Sequence, residues 1–463
     1  MSSLSSVSHR TYLLSLSSLA VLSLLAAGCG SGSVGTTATG TPGPSFVIGT
    51  DAPMSSVTSF AVVVNSVDAI DASGKSVSLV SGTPTVDFAR FNGLQTLMDM
   101  NDVPVGTYTS VQITLGAATL GYLNTGSGAP TIVSETATLT SSTVTIPLAS
   151  PLVITQTQPV GLRLDLNLRK SILVDGTGQI TGQVTPTFNV AAVAIGDDGA
   201  YLDEFDAAVV SVNTTAQTFV VQGPHGRQFT VNVSGNTAWD NSESLSSLTT
   251  SSIVSVSGTL NKADATIDAD EVAIVSQNGF YATGQVTYVT PATGTATSFD
   301  LYVRGLLPTT TGLTLGQIAQ VNLTGSENFF IYRMHNTLTQ FLFNSGNMLA
   351  GQDVVIGGPA TGAANSQAVT VKRVALRHWG FNGTFVVNSA NSSNGTFQMQ
   401  ISGFAGLLVP QTVTVYTSSV KHYRNGFSTL ANVTGNVRVV GLLVKDPVSG
   451  NTVLLAHYVD LLN

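Results

Sequence analysis

Carboxylates are concentrated at one point of this otherwise weakly charged chain. Five of them lie between positions 197 and 206, and they are Asp197, Asp198, Asp203, Glu204 and Asp206. Oxygen-rich loops bind Ca²⁺, which prefers carboxylate and carbonyl oxygens as ligands. The spacing of an EF-hand loop, with its glycine at the sixth position, is not present. We therefore expect a calcium site at this segment or, as the alternative, a solvated linker between two β domains.

Four aromatic residues occupy comparable places in the second half of the chain. Trp239, Tyr332 and Tyr423 each follow the third strand expected in a repeated segment. Trp379 stands beside His378 at the start of the last segment. Aromatic rings combine an apolar face with a polar handle, which suits the recognition of sugars. The repeated position predicts either a glycan-binding face or a set of rings that close one end of a barrel core.

Motifs with catalytic or nucleotide-binding spacing occur in unsuitable places. Residues 30–35 fit G-x-G-x-x-G but do not lie between a strand and a helix. Residues 418–421 fit S-x-x-K, but the companion triplets S-D-N and K-T-G are missing. The histidines beyond the leader are scattered, with none of the pairs that form a metal face: His225, His335, His378, His422 and His457. We expect no enzyme and no other cofactor, unless histidines and carboxylates of different segments converge in one pocket.

The single cysteine, Cys29, follows a leader of secretory proportions. His9 and Arg10 precede an apolar run over 12–25, which is too short and wrongly flanked for a membrane span. Small residues at 26–28 then lead to the cysteine, and this resembles the lipobox of bacterial lipoproteins. The resemblance implies a signal peptide over 1–28 and lipidation of Cys29, which would become the new N-terminus. The alternative is an ordinary secretory signal.

The residues after Cys29 indicate where the protein is held. Residues 29–45 are rich in Gly, Ser, Thr and Pro, and we expect a flexible tether. Gly30, rather than Asp, follows the cysteine, which in enteric bacterial lipoproteins implies export to the outer membrane. The expected partner at this end of the chain is therefore the membrane.

Composition restricts the class of the folded part. Of 463 residues, 43% are hydrophobic and 9% are charged, and the mean hydropathy is +0.31. Disordered chains combine high charge with low hydrophobicity, and exposed helices carry many Glu and Lys side chains, so both classes are disfavoured. The net charge of −8 disfavours nucleic acid, because its binding needs a basic surface. Ser, Thr, Asn and 46 Gly instead indicate β-strands, turns and an uncharged polar surface.

Short strands with turn signals dominate residues 46–195, for which we predict a β-sandwich. Ser110–Leu115 and Gly161–Leu168 alternate between apolar and polar residues, as half-buried strands do. Helical spacing is confined to Phe91–Met100, where we expect one short helix.

Six short motifs in this region resemble those of a known family. Along the chain they are Asp51–Pro53, Val86–Phe88, Leu94–Leu97, Val103–Tyr108, Leu162–Leu168 and Thr185–Thr187. Their order is similar to that of the bacterial lipoprotein domain of unknown function 4382. The resemblance covers about residues 46–190. It implies an exported β-sandwich with no assigned activity.

Three repeated segments follow, over 200–277, 278–376 and 377–463. Each offers five short strands, and a glycine is expected to stop the fourth strand: Gly258, Gly357 and Gly441. Five short strands suit a small closed barrel such as the OB-fold, or a small open sandwich. The template resembles domain of unknown function 5666.

The sequence therefore predicts an all-β chain, with an N-terminal β-sandwich followed by three small five-stranded modules. We expect a non-catalytic envelope lipoprotein anchored at Cys29, whose domains act as spacer and interaction surface for an envelope partner. The alternative is an extracellular glycan-binding protein, assisted by calcium, that uses Trp239, Tyr332, Trp379 and Tyr423.

Overall fold

The computed structural model of this protein is all-β, as the sequence predicts. It describes residues 42–461 apart from 53–56, 92–95, 125–130, 196–199, 224–227, 262–265, 278, 308–311, 333–339, 360–367, 402–410, 419, 421, 425 and 426. The leader, Cys29, Asp197 and Asp198 therefore lie outside the described residues. Within the described part, no helix has the length and hydropathy needed to cross a bilayer.

The N-terminal part is a β-sandwich, called the sandwich below. Its strands are β1 (Pro42–Ala52), β2 (Val57–Asp71), β3 (Ser76–Ser78), β4 (Thr85–Asp87), β5 (Thr96–Pro104), β6 (Gly106–Asn124), β7 (Thr131–Thr136), β8 (Thr138–Leu139), β9 (Thr143–Ile154), β10 (Val160–Asn167), β11 (Ile172–Val174), β12 (Ile180–Val184) and β13 (Phe188–Ala194). A 3-10 turn spans Phe88–Arg90, and a helical turn, α1, spans Leu168–Ser171.

Two sheets of the sandwich share one hydrophobic core. One sheet has the order β13-β10-β1-β5, and in the other β2 pairs with β6 while β3, β4, β7 and β9 pair along them. Val47 of β1, Val62 of β2, Ile113 of β6 and Leu164 of β10 meet in this core. A small third sheet joins β11, β12 and β8.

The helix predicted over Phe91–Met100 is wrong where the structure describes it, because β5 begins at Thr96. The ladder between β1 and β5 shifts register between Val47 and Ile48, so that Ile48 faces Leu97 and Phe46 faces Met100. This bulge turns Leu97 and Met100 to the same face although they are three residues apart. A spacing of three residues therefore resembled a helical face.

Three barrels follow. Barrel 1 contains β14 (Leu202–Asn213), β15 (Thr218–Gln222), β16 (Gln228–Asn232), β17 (Ala238–Trp239), β18 (Ile253–Leu260) and β19 (Ile267–Ser276). Barrel 2 contains β20 (Phe280–Thr290), β21 (Ser298–Leu307), β22 (Ile318–Asn322), β23 (Asn328–Ile331), β24 (Asp353–Gly358), β25 (Ala368–Thr370) and β26 (Arg373–Leu376). Barrel 3 contains β27 (Trp379–Phe385), β28 (Thr396–Ile401), β29 (Gln411–Tyr416), β30 (His422–Arg424), β31 (Asn436–Lys445) and β32 (Thr452–Leu461). Short 3-10 turns span Asp240–Ser242, Leu245–Ser247 and Leu430–Asn432.

Each barrel closes in the same way. In barrel 1 the order is β16-β15-β14-β18-β19, and β16 returns to β19 in parallel. Barrel 3 repeats this order, with β29 parallel to β32. In barrel 2 the last strand is interrupted, so β26 pairs with β24 while β25 pairs in parallel with β22. Of the two architectures suggested by the sequence, the modules have that of the closed barrel, in which sheet edges are paired.

Two of the three glycines expected to stop the fourth strand lie inside it instead, whereas β24 ends one residue after Gly357. Gly258 and Gly441 each sit at a register shift of β18 and β31, and both strands continue beyond them. A Cβ atom at Gly441 would lie 2.2 Å from the carbonyl oxygen of Leu455. Glycine is therefore needed where the fourth strand bends closely over the fifth.

Hydrophobic cores connect the domains. Phe46 and Ile48 of β1 point away from the sandwich core and pack with Phe205 and Val254 of barrel 1. Barrels 1 and 2 share a smaller cluster that includes Val275 and Tyr281. Leu442, Val444, Val453 and Leu455 of barrel 3 belong to the core of barrel 2. The described residues therefore form one packed body rather than a string of domains that do not contact one another.

The segment predicted as a tether over 29–45 is too long at its C-terminal end, because β1 begins at Pro42. Ser45 is fully buried. The Gly and Pro residues at 42–44 read as a linker, but their backbone pairs with β5.

Candidate functional site

The described part of the acidic segment belongs to the first strand of barrel 1, β14. Asp203, Glu204 and Asp206 lie at the start of β14, where every residue from 202 to 207 is buried. A register shift against β18 lets Leu202 and Phe205 both reach the barrel core. The carboxylates are thus directed toward neighbouring domains, at a place where an unpaired charge would be very costly.

Asp206 joins three domains. Its carboxylate accepts hydrogen bonds from the guanidinium of Arg90, which belongs to the sandwich, and from the hydroxyl of Tyr281, which belongs to barrel 2. Arg90 also donates to the Tyr281 hydroxyl oxygen at 3.3 Å. The Arg90 side chain is 30% exposed, whereas that of Asp206 is 4% exposed.

Arg377 forms the second half of the same arrangement. It lies in the connection between β26 and β27, and its Nη2 is 2.8 Å from Oε2 of Glu204. Its Nε is 3.0 Å from Oδ1 of Asp353, and its Nη1 donates to Thr283 Oγ1 at 2.8 Å. All three charged side chains are nearly inaccessible. The six residues Arg90, Glu204, Asp206, Tyr281, Asp353 and Arg377 are called the junction network below.

A second arginine of barrel 2 extends the junction toward the sandwich and barrel 3. Arg304 donates to the carbonyl oxygen of Ala89 at 3.4 Å, and its guanidinium lies 4.5 Å from the centroid of a Trp379 ring. This is a cation–π distance. Beside it, the Tyr302 hydroxyl donates to Thr58 Oγ1 at 2.8 Å. Arg304 therefore lies between three domains.

The remaining domain pairs have polar contacts of their own. The Tyr458 hydroxyl of barrel 3 donates to Oδ1 of Asp203 at 3.2 Å. Arg373 of barrel 2 lies 2.7 Å from the Glu243 carboxylate of barrel 1. The Gln352 amide of barrel 2 donates to the Leu443 carbonyl oxygen of barrel 3 at 2.9 Å.

Burial and pairing shift the pKa values in the junction network. Burial raises the pKa of Asp353 to about 6, and the nearby Arg377 and Arg304 only partly offset this. Burial tends to lower the pKa of Arg377, but Glu204 and Asp353 more than compensate and raise it. Burial and the Asp206 carboxylate raise the pKa of Tyr281 well above its ordinary value. Tyr281 therefore stays a hydrogen-bond donor and Arg377 stays a cation at any physiological pH.

The segment predicted to bind Ca²⁺, Asp197–Asp206, is described only in part, because Asp197 and Asp198 lie outside the described residues. Glu204 and Asp206 face guanidinium and phenol groups, which satisfy carboxylates without a metal. Among the described residues, no three His, Cys, Asp or Glu side chains are placed to hold a metal ion together. The described carboxylates thus serve as contacts between domains.

The four aromatic candidates divide into two pairs. Tyr332 and Trp379 are each 1% exposed, so neither offers a ring face to a sugar. Trp379 packs in the core of barrel 3, as the barrel-core alternative expects, whereas Tyr332 packs in the cluster shared by barrels 1 and 2. Trp239 and Tyr423 are partly exposed. They lie on equivalent short strands, β17 and β30, which pair in parallel with the last strand of their barrels. The repeated position found in the sequence is therefore a structural repeat.

The histidines that the sequence scatters are partly brought together. The rings of His378 and His457 are 4.8 Å apart, and that of His457 is 4.2 Å from Tyr458. His378 is buried. His225, His335 and Lys421 lie outside the described residues, and the side chain of His422 is not described. Tyr458, whose ring contacts His457, also donates its hydroxyl to the Asp203 carboxylate.

Sequence reasoning missed the basic half of the junction. Arg304 and Arg377 stand alone in apolar strand segments, Leu301–Leu306 and Val374–Trp379. In a chain with 9% charged residues, a single arginine inside an apolar run indicates a buried cation that needs a partner. The partner lies up to about 170 residues away in the sequence, so the sequence alone does not identify it.

Comparison with known proteins supports the N-terminal domain. Residues 47–182 match the family described as a domain of unknown function (DUF4382). This match covers most of the sandwich. No curated protein matches the chain.

Proposed function

We propose that this chain is an exported, non-catalytic envelope lipoprotein, held in the outer membrane through Cys29. The sandwich and the three barrels form one rigid body for interaction with an envelope partner, and we assign the barrels alone to the class of domain of unknown function 5666. The junction network carries this proposal. Arg90–Asp206 links the sandwich to barrel 1, and Glu204–Arg377–Asp353 links barrel 1 to barrel 2.

The physical argument is about rigidity. Apolar packing between domains is not directional, whereas a buried ion pair tolerates little displacement before its desolvation cost is uncompensated. A body with several such links presents its surface in a fixed arrangement. That property suits a spacer or a docking surface better than a flexible string of domains.

Lipidation is tested by substitution of the cysteine. Cys29→Ala removes the thiol that would be acylated, and we expect the protein to leave the membrane fraction, because two or three acyl chains supply the anchoring energy. Fractionation and detergent phase partitioning measure this. The control is Gly30→Ala, which keeps the thiol and should keep the protein with the membrane. Unchanged partitioning of Cys29→Ala would contradict the anchor.

Glycan binding is the second candidate, and the partly exposed rings of Trp239 and Tyr423 favour it. Their equivalent places in barrels 1 and 3 would give two similar subsites. A glycan array probed with and without Ca²⁺ distinguishes the candidates. Signals lost in both Trp239→Ala and Tyr423→Ala would support glycan binding, and an array without signals would count against it.

A further inference from the structure

Strand β1 lies in the interior of its sheet although it is the first strand in the described part of the chain. On one side it pairs in parallel with β10, from Ser45 opposite Val160 to Ala52 opposite Asn167. On the other side it pairs antiparallel with β5, from Pro42 opposite Pro104 to Gly49 opposite Thr96. Both hydrogen-bonding edges of β1 are therefore occupied.

Both faces of β1 are covered as well in its middle part, residues 45–49. Val47 points into the sandwich core, and Phe46 and Ile48 point into the core shared with barrel 1. All three side chains are 0% exposed. An edge strand can be peeled sideways, and a strand with a free face can lift out of its sheet. Neither path is open to β1, which can leave only along its own axis.

We propose that β1 is a mechanical plug, through which tension on the N-terminal segment is transmitted to the whole folded body. The inference rests on the proposed anchoring at Cys29, since residues 30–41 join that cysteine directly to Pro42. Tension on this segment pulls β1 toward its N-terminus. The pairs with β10 and β5 are then sheared together instead of being broken one after another.

Steric obstacles oppose this sliding. A strand that moves along its axis must advance by two residues to restore its inward and outward faces. That step would bring Ser45 to the place of Gly43, where even a Cβ atom would lie 2.1 Å from the Thr155 carbonyl oxygen. The Phe46 ring packs against Gly161. A Cβ atom at Gly161 would lie 2.3 Å from a ring carbon of Phe46, so this contact needs a glycine. The β1 register is thus held by backbone and by a bulky ring.

The test is a constant-force measurement on the mature chain from Cys29 to Asn463, without lipid. One handle is attached to Cys29 and the other to a cysteine introduced as Gly176→Cys, in an open turn of the sandwich. We expect one abrupt extension, with no slow lengthening before it. Val47→Ala should raise the extraction rate about tenfold or more, because β1 loses packing that must be broken during shear.

Val437→Ala is the matched control, since Val437 is equally buried but lies in barrel 3. It should change the extraction rate by less than about twofold, because forced unfolding follows the barrier of the loaded element. If Val47→Ala does not fold, Ile48→Val compared with Ile274→Val repeats the test with one methyl group removed. Gradual lengthening at low force, or equal effects of the matched variants, would overturn the proposal.

This outcome is separable from the proposed function. The pulled protein carries no lipid, so its response reports on β1 alone. Failure of the Cys29→Ala partitioning test would remove the anchor and leave the plug as a property of the fold. If β1 resists force only weakly in a protein that does partition with membranes, only the proposal of a mechanical plug is overturned.

Discussion

At the scale of single residues, the molecule buries several of its few charged side chains, where the desolvation cost of a charge is highest. Glu204, Asp353 and Arg377 are buried together, and each would be strongly destabilising without the others. Replacing such a cluster with apolar side chains of similar size is often neutral for stability. The junction network is therefore better understood as a device that fixes which surfaces of the domains meet.

Asp353 makes the stability of this junction depend on pH. Its pKa of about 6 in the folded protein lies above the value of 3.8 expected when unfolded. Between these values the folded state holds a proton that the unfolded state lacks, so the contribution of Asp353 to the free energy of unfolding rises as the pH falls from 7 toward 4. The full contribution is about 3 kcal/mol at 1.36 kcal/mol per unit. Urea unfolding at pH 7 and 4.5 measures about 2 kcal/mol of this contribution, because the rest appears only as the pH falls below about 4.

The variant Asp353→Asn should lack this increment, so the difference between wild type and variant isolates one group. Asp71→Asn is the control with the opposite sign. The Ser73 hydroxyl and the backbone of Lys75 and Ser73 lower the pKa of Asp71, so its contribution is lost as the pH falls. Equal pH dependence in wild type and Asp353→Asn would refute the assignment.

At the scale of elements, the alternation of apolar and polar residues predicted most of the strands. Ser110–Leu115 lies in strand β6, and all but the last residue of Gly161–Leu168 lies in β10. The failure at β5 came from a bulge, which changes the two-residue period locally and depends on the partner strand. The start of β1 was missed for a related reason, because Gly43 and Pro44 are ordered by neighbours that are distant in sequence.

The candidate site was half predicted for the same physical reason. The acidic cluster was visible because its members are adjacent in the chain. Its partners Arg90 and Arg377 come from other domains, and only the packing of those domains brings them together. Local sequence patterns carry no information on which domains pack.

The inward bend of the fourth barrel strand depends on glycine. Gly441→Ala places a Cβ atom 2.2 Å from a backbone carbonyl of β32, which cannot move without breaking the ladder. We expect a loss of about 2 kcal/mol or more in the free energy of unfolding. Urea denaturation followed by circular dichroism measures this loss. Gly176→Ala, where the added Cβ meets nothing within 4 Å, should change it by less than about 0.5 kcal/mol. Similar values for the two variants would show that the bend does not require glycine.

At the scale of the molecule, four domains are coupled through shared cores and the junction network. Domains with small polar interfaces unfold separately, whereas domains linked by buried contacts unfold together. We therefore expect the mature chain to unfold in one calorimetric transition. Two or more transitions in the unmodified chain would contradict a single rigid body and favour a string of domains.

A comparison of two arginines separates coupling from stability. Arg377→Ala removes the link between Glu204 of barrel 1 and Asp353 of barrel 2, and leaves both carboxylates buried. We expect the free energy of unfolding to fall by about 3–5 kcal/mol. The calorimetric transition should also split, because the lost contacts lie at an interface between domains. Arg438→Ala breaks a pair with Asp460 inside barrel 3, at 3.3 Å. That variant should lower the transition temperature and keep a single peak, because the contacts between domains remain. If both variants shift one peak alike, the junction network contributes stability without coupling the domains, and the rigidity of the interaction body must come from the shared apolar cores.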